Sequence, residues 1–176
     1  IHLDGYADPS DALSSYGDRE KKLEILKDPR CGAFAVIRLC TYFLAYFCVA
    51  FCIRFSPRVG LCWTLALVLE RGLSGLAVAA FPMAKNTGLA HTFATAADRE
   101  SVQKILIVLS VLLAAALIAL GGGALVAAAL LVLWRYHHVA VKEFGGITGD
   151  LAGWFLQKAE FWMLAALAAS QWGGIL

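Results

Sequence analysis

Three aspartates near the start of the chain are the first residues whose types and spacing could perform chemistry. Asp4, Asp8 and Asp11 follow an i, i+4, i+7 pattern, which aligns side chains on one face of a helix. Carboxylates this close repel one another unless a cation compensates them, and all-oxygen ligation suits Mg²⁺ or Mn²⁺ better than zinc. The spacing therefore predicts a divalent-metal site, and a solvated acidic surface is the alternative.

Pro9 lies within this pattern and limits the helix that can carry it. A proline in a helix interior removes a backbone hydrogen bond, whereas a proline in the first turn is well tolerated. We therefore expect a helix that begins at Pro9 with Asp8 as its N-cap. Asp4 would then lie on the preceding turn, still within reach of the same ion.

A glycine-rich stretch at 142–150 is the second candidate. Gly145, Gly146 and Gly149 allow the backbone to approach a ligand closely, and the helix that follows offers free N–H groups to a phosphate. The stretch is not a P-loop, because no Gly-Lys-Ser/Thr sequence closes it. In the structural alternative the glycines form only a tight turn and Asp150 only caps the next helix.

A third group of polar residues lies in or beside an apolar stretch. Glu70 and Arg71 are followed one turn later by Ser74, and Lys85 follows in a polar segment. A charge in hydrocarbon is costly, so Arg71 should face the interior of a bundle and meet an anion or a carboxylate. Glu70 or a residue of another helix could supply that carboxylate, and Lys85 is by default a solvated loop charge.

The elements that position these residues must be membrane helices. The chain has 176 residues, of which 60% are hydrophobic and only 16% charged, and its mean hydropathy is +0.71. This composition excludes a disordered protein, and a formal charge of +2 does not indicate a nucleic-acid binder. Apolar stretches long enough to cross a bilayer of about 30 Å fall near 33–55, 59–81, 105–141 and 151–169.

The third of these stretches is too long for a single span. Gly121, Gly122 and Gly123 interrupt it, so we expect a helical hairpin that turns at the glycines. The fold class predicted is all-α: a polytopic integral membrane helical bundle with about five transmembrane helices. We expect one domain over 1–176, in which an Asp-rich segment at 1–32 precedes a transmembrane bundle at 33–169.

The basic residues orient this bundle. With alternating crossings, the segments 1–32, 82–104 and 135–150 share one side and hold most Lys and Arg outside the spans, whereas the opposite side holds only Arg54 and Arg58. The positive-inside rule places the first side in the cytoplasm. The Asp cluster and the loops near 82–104 and 142–150 all fall there, which favours phosphoryl or nucleotidyl transfer by a membrane enzyme.

Three motifs in this order resemble one enzyme family. They are HLDGYAD at 2–8 with Asp11-Ala12-Leu13, EILKDPR at 24–30, and GGITGDLAG at 145–153. Together they are similar to adenosylcobinamide-GDP ribazoletransferase, also called cobalamin-5′-phosphate synthase, over the whole chain. Departures from the family pattern are Pro9, Ala12, Trp154 and Gln157, and the last puts a metal role at that position in doubt.

The resemblance implies a multi-pass enzyme of the bacterial inner membrane that depends on Mg²⁺ and has its active site facing the cytoplasm. Such enzymes join adenosylcobinamide-GDP to α-ribazole or its 5′-phosphate, giving adenosylcobalamin or its 5′-phosphate and releasing GMP. Relatives begin with further membrane helices, so we expect this chain, which starts with Ile1, to be N-terminally truncated. No nucleic-acid partner is expected, and homo-oligomerisation stays open.

The resemblance also implies residue roles. Mg²⁺ is expected at Asp4, Asp8 and Asp11, and the base is either Asp28 or Asp150, an alternative that the sequence leaves open. Positions expected to contact substrate or phosphate are Lys27, Arg71, Ser74, Lys85, Gly145, Gly146, Thr148 and Gly149.

Two other classes remain as alternatives. CDP-alcohol phosphotransferases also use an Asp-rich signature at the cytoplasmic surface, but their second Asp pair, four residues apart, has no counterpart here. A transporter could line its pathway with Arg71, Lys158 and Glu160. The chain shows no internal repeat and concentrates its polar motifs on one side, which favours surface chemistry.

Overall fold

The structure, a computed structural model, describes residues 2–84 and 98–176 and is helical throughout its regular elements. The α-helices are α1 (Asp4–Ser14), α2 (Arg19–Ile25), α3 (Ala33–Phe51), α4 (Pro57–Ala80), α5 (Arg99–Ala119), α6 (Gly123–Val139) and α7 (Gly149–Trp172). A π-helical turn, Ala140–Phe144, continues α6. The predicted all-α fold class is confirmed.

Four helical segments are long and apolar enough to cross a membrane. They are Ala33–Phe51, Pro57–Ala80, Arg99–Ala119 and Gly123–Phe144. The fifth predicted span, near 151–169, corresponds to α7, which is 24 residues long but carries Lys158 and Glu160 near its middle. The chain is therefore a membrane protein in which four spans satisfy both length and composition.

Helix α7 lies at the centre of the bundle. It packs against α1, α3, α4 and α6, and buries Phe155, Met163 and Leu167 almost completely. The ring of Phe155 stacks on Tyr136 of α6 with centroids 5.1 Å apart. By contrast, α3 and α5 leave most of their apolar side chains on the outside, as expected for surfaces that face lipid.

The helix boundaries follow from local sequence. Ser56 accepts a hydrogen bond from the Val59 N–H at 3.2 Å, and Pro57 occupies the first position of α4, where its missing N–H costs nothing. Helices α5 and α6 form the predicted hairpin, and Gly121 turns the chain at a φ of 89°. A left-handed conformation of this kind favours glycine.

Opposite ends of the bundle carry different loops. At one end the Arg58 Nε donates to the Leu120 carbonyl at 2.9 Å. At the other end the Ile147 N–H donates to the Pro82 carbonyl at 2.8 Å, and Lys22 forms an ion pair with Glu143. The described parts of 1–32, 82–104 and 135–150, the three segments expected on one side of the membrane, therefore meet at one end of the bundle. Helices α1 and α2 lie at that end.

Candidate active site

Helix α1 carries the Asp cluster and begins at Asp4, so the expectation of a helix starting at Pro9 with Asp8 as N-cap is wrong. The N–H groups of Tyr6 and Ala7 already bond to the carbonyls of His2 and Leu3. Pro9 therefore lies inside the helix and costs a single backbone bond. Packing of α1 against α3 and α7 offsets that loss.

A close glycine contact fixes α1 beside α7. A Cβ added at Gly5 would lie 2.9 Å from the Asp150 carbonyl oxygen and 3.1 Å from the Gly153 Cα. Only glycine at these positions allows the two backbones to approach so closely. The approach brings Asp4 and Asp8 to the N-terminal turn of α7, where Asp150 lies.

These elements enclose a cleft of about 520 Å³. Its walls come from α1, the segment between α2 and α3, Leu39 of α3 and the start of α7. The charged side chains in its lining are Asp4, Asp8, Lys27, Asp28, Arg30 and Asp150. The cleft thus combines carboxylates that can hold a metal ion with cations that can bind phosphate.

Asp8 is the cleft carboxylate whose pKa is raised by burial and by its acidic neighbours. Partial burial, together with the charges of Asp4, Asp150 and Asp11, raises the pKa of Asp8 from 3.8 to about 6. Neighbouring negative charges favour the protonated form of a carboxyl, whereas a bound cation would favour the ionised form. The arrangement therefore costs free energy at neutral pH unless a cation binds close to Asp8.

Asp11 is directed away from the cleft lining. Its Oδ1 accepts a hydrogen bond from the Ala35 N–H at 3.3 Å, in the first turn of α3. The Asp11 carboxylate occupies space beside Gly32, which precedes α3. A Cβ at position 32 would overlap this carboxylate. The structure therefore brings Asp150, rather than Asp11, to the cleft wall formed by Asp4 and Asp8.

Asp28 lines the cleft but is bound to Arg30. The Arg30 Nε and Nη2 donate to its two carboxylate oxygens at 2.9 and 2.7 Å, and the Arg30 backbone N–H donates at 3.0 Å. These hydrogen bonds hold the pKa of Asp28 at about 2. A carboxylate with so low a pKa is a weak proton acceptor at neutral pH.

The predicted phosphate-binding cations occupy different places. Lys27 is exposed and lines the cleft. Arg71 is not in the cleft lining, and Ser74, half-buried one turn further along α4, is not there either. Lys85 lies outside the described residues.

Arg71 belongs to a second polar group beside the cleft. Its Nη1 lies 3.2 Å from the Nδ1 of His2, and its Nε lies 3.5 Å from the Oε1 of Glu70, which is completely buried. Burial and the Arg71 guanidinium lower the pKa of His2. The expected carboxylate partner of Arg71 is therefore its own neighbour, Glu70.

A cavity of about 390 Å³ adjoins this polar group. His2 lines it together with Gln157 and Glu160 of α7, and the Tyr46 hydroxyl donates to Glu160 Oε1 at 2.8 Å. Leu3 lines both this cavity and the Asp cleft, so the two spaces lie on either side of the start of α1.

The glycine-rich segment has a clear packing function. Gly146 has a φ of 154°, and a Cβ there would lie 2.5 Å from the Ala84 nitrogen. Thr148, not Asp150, caps α7, because its hydroxyl oxygen accepts from the Leu151 N–H at 3.2 Å. None of the residues of this segment that were expected to contact phosphate lines the cleft: Gly145, Gly146, Thr148 and Gly149. Their contact with phosphate therefore stays a prediction.

Arg30 lines the cleft, although the sequence predicted no role for it. Its signal was the Asp28-Pro29-Arg30 sequence, in which a proline-containing turn brings a guanidinium back onto the preceding carboxylate. The pairing of His2 with Arg71 had no comparable signal, because the two residues are far apart in the chain.

The described carboxylates suit Mg²⁺ in chemistry, although they do not form a complete cage. No group of three or more His, Cys, Asp or Glu side chains within 2–84 and 98–176 converges as a ready-made metal site. Mg²⁺ usually takes only one or two protein carboxylates and completes its shell with water and substrate phosphates. Asp4 and Asp8 fit that kind of site, and the mutual repulsion at Asp8 is what a cation would relieve.

Comparison with known proteins assigns the chain to a family. The family model described as cobalamin-5-phosphate synthase matches residues 1–168. Three similar proteins are each named adenosylcobinamide-GDP ribazoletransferase. The protein of Lachnoclostridium phytofermentans is 41% identical over 171 residues, that of Pseudomonas syringae pv. tomato 34% over 170, and that of a Geobacillus species 33% over 169.

These alignments cover nearly all of this chain but not all of its relatives. They include 96%, 96% and 93% of this chain and 64%, 69% and 64% of the three relatives, respectively. The chain thus spans about two thirds of the length of the relatives. No solved structure matches it. The match of the family model over residues 1–168, with relatives that agree in name, shows that the chain belongs to the cobalamin-5-phosphate synthase family.

Proposed function

We propose that the protein containing this chain transfers the adenosylcobinamide phosphate group of adenosylcobinamide-GDP to α-ribazole or its 5′-phosphate, with release of GMP. The observation that carries the proposal is the cleft in which Asp4, Asp8 and Asp150 face Lys27 and Arg30. The family match and the names of the relatives support this reaction over CDP-alcohol transfer or solute transport.

The reaction requires three events in the cleft. A ribose hydroxyl of α-ribazole attacks the phosphorus on the cobinamide side, the bond to GMP breaks, and the hydroxyl proton must be accepted. Mg²⁺, held by Asp4 and Asp8, would supply positive charge against the diphosphate. Lys27 lies at the cleft wall, where it can neutralise charge on the departing GMP.

Of the two candidate bases, Asp28 and Asp150, we assign Asp150 as the acceptor of the hydroxyl proton. Asp28 is committed to Arg30, and its pKa of about 2 makes it a poor acceptor. Asp150 lies at the start of α7, beside Asp4 and Asp8. The Asp28–Arg30 pair then presents the guanidinium to phosphate as a fixed donor.

We further propose that the cleft faces the cytoplasm from a bacterial inner membrane. Basic residues concentrate at the cleft end of the bundle, while Arg54 and Arg58 are the basic residues at the far end among those described. Both substrates are charged and water-soluble, so a cleft at the end of the bundle suits them better than a site in its centre.

The test is GMP release by the full-length protein in membranes, supplied with adenosylcobinamide-GDP and α-ribazole 5′-phosphate. Release should require both substrates and Mg²⁺, and should stop with EDTA. Asp8→Asn should abolish release, whereas Asp18→Asn, which changes an exposed carboxylate outside the cleft and keeps a good N-cap for α2, should retain it. Ordinary activity in purified Asp8→Asn protein would remove the metal assignment.

A further inference from the structure

A second groove lies between α6 and α7, on the outer surface of the bundle. It has a volume of about 410 Å³, and its lining includes Ala128, Leu131, Arg135, Trp154, Lys158 and Trp162. Leu131 is 64% exposed and Trp162 is 52% exposed, so the groove opens on the outer surface of the described bundle. The proposed transfer chemistry uses none of these residues.

The two cations of this groove have no acidic partner. Neither Arg135 nor Lys158 takes part in an ion pair with any described residue. The Lys158 Nζ instead lies 5.5 Å from the centroid of the Tyr6 ring and 5.9 Å from that of Trp154. Arg135 and Arg38 both act on Lys158 with charge of the same sign. Two cations thus line an apolar groove that offers them no carboxylate, and the charge of Arg38 adds to theirs at Lys158.

The two cations of the groove lie nearer to the cleft end of the bundle than to its far end. The far end of the bundle is marked by the contacts of Arg58 with Leu120 and of Arg54 with Gln171. At about 1.5 Å per residue, Arg135 and Lys158 each lie about 20 Å from that end. In a hydrocarbon layer of about 30 Å they therefore lie about 10 Å below the boundary at the cleft end, a depth that long basic side chains partly bridge.

From this geometry we infer that the groove binds one anionic phospholipid of the leaflet next to the cleft. Its phosphate would meet Arg135 and Lys158, and an acyl chain would lie along Ala128 and Leu131. Trp154 and Trp162 have the amphipathic character that suits the boundary between head groups and hydrocarbon. The excess of positive charge in the groove selects an anionic lipid over a zwitterionic one.

Lipid binding can be tested without substrates, so the result does not depend on the proposed transferase activity. Full-length protein in neutral detergent is titrated with phosphatidylglycerol or with phosphatidylcholine, and bound lipid is counted by native mass spectrometry. Each basic residue near an anionic head group contributes roughly fivefold in affinity, so Arg135→Gln with Lys158→Gln should weaken phosphatidylglycerol binding roughly thirtyfold. Phosphatidylcholine binding should change little.

Control variants separate the groove from general charge and from misfolding. Lys104→Gln removes an exposed cation at the same end of the bundle, paired with Glu100 on α5, and should keep the lipid preference. Arg135→Lys with Lys158→Arg keeps both charges and should also retain it. Ala128→Phe narrows the acyl part of the groove and should weaken phosphatidylglycerol binding without any change of charge.

Three results would overturn the inference. The first is equal binding of the two lipids by the unaltered protein, and the second is an unchanged preference in the double Gln variant. In the third, glycerol 3-phosphate binds as tightly as phosphatidylglycerol, which would make the groove a site for a free phosphate. If the double variant in the second case also loses thermal stability, another segment of the full-length chain pairs with the cations.

Discussion

Replacing Asp8 with Asn should make the metal-free protein more stable at neutral pH while abolishing transfer. Burial and three neighbouring carboxylates raise the pKa of Asp8 from 3.8 to about 6. A folded-state pKa above the unfolded value contributes stability that is fully present below about pH 4 and lost as the pH rises through about 6. At pH 8 the ionised carboxylate therefore opposes folding, and Asn removes that charge with little change of shape.

The size of the effect follows from the pKa shift. A shift of about two units corresponds to an upper limit of about 3 kcal/mol, at about 1.36 kcal/mol per unit. Asp8 is only partly buried, so screening by solvent reduces the expected gain to about 1 kcal/mol. For a chain of this size, that gain raises the midpoint of thermal unfolding by about 2–4 °C.

The assay is thermal unfolding of full-length protein in detergent with EDTA, at pH 4 and pH 8. Asp8→Asn should raise the midpoint at pH 8 and leave it nearly unchanged at pH 4, whereas Asp18→Asn should change neither. Added Mg²⁺ should stabilise the unaltered protein more than Asp8→Asn. A lower midpoint for Asp8→Asn at pH 8, or a larger gain at pH 4 than at pH 8, would refute the electrostatic reasoning.

Three further changes test the scaffold of the cleft. Gly5→Ala places a methyl group 2.9 Å from the Asp150 carbonyl oxygen, so thermal unfolding should show a loss of about 1–3 kcal/mol, with a parallel loss of GMP release. Arg30→Gln should raise the pKa of Asp28 from about 2 toward 3.8, measured by NMR titration of labelled carboxyl carbons, and should raise the KM for the GDP substrate. Phe155→Ala removes a buried ring from the core and should cost about 3–5 kcal/mol by denaturant unfolding, while the protein that remains folded keeps its KM.

The fold was predictable from the sequence wherever one chain segment determines its own structure. Apolar length predicted the helices, and the three glycines at 121–123 predicted the hairpin between α5 and α6. The sidedness of the basic loops also predicted which segments would meet. These features depend on composition and local backbone preference, which do not require knowledge of tertiary packing.

The details of the cleft depended on contacts between distant segments. The continuation of α1 through Pro9 depends on packing against α3 and α7, and the turn of Asp11 toward α3 depends on the space left by Gly32. Thr148 is the N-cap of α7 because α7 begins one residue before Asp150. Helical spacing alone placed Asp11 with Asp4 and Asp8, but a tertiary hydrogen bond gave it another partner.

The close contact between Gly5 and Gly153 links the architecture of the cleft to its electrostatics. That contact holds the carboxylates of α1 against the start of α7, although their mutual repulsion raises the pKa of Asp8. Two tertiary links hold neighbouring elements in place: the Asp11 bond to the start of α3, and the Lys22–Glu143 ion pair between α2 and the π-helical turn. A substrate complex that brings a cation and a diphosphate together would relieve the repulsion at Asp8. We therefore expect part of the free energy of substrate binding at this cleft to come from relief of the repulsion among the carboxylates that the glycine contact holds together.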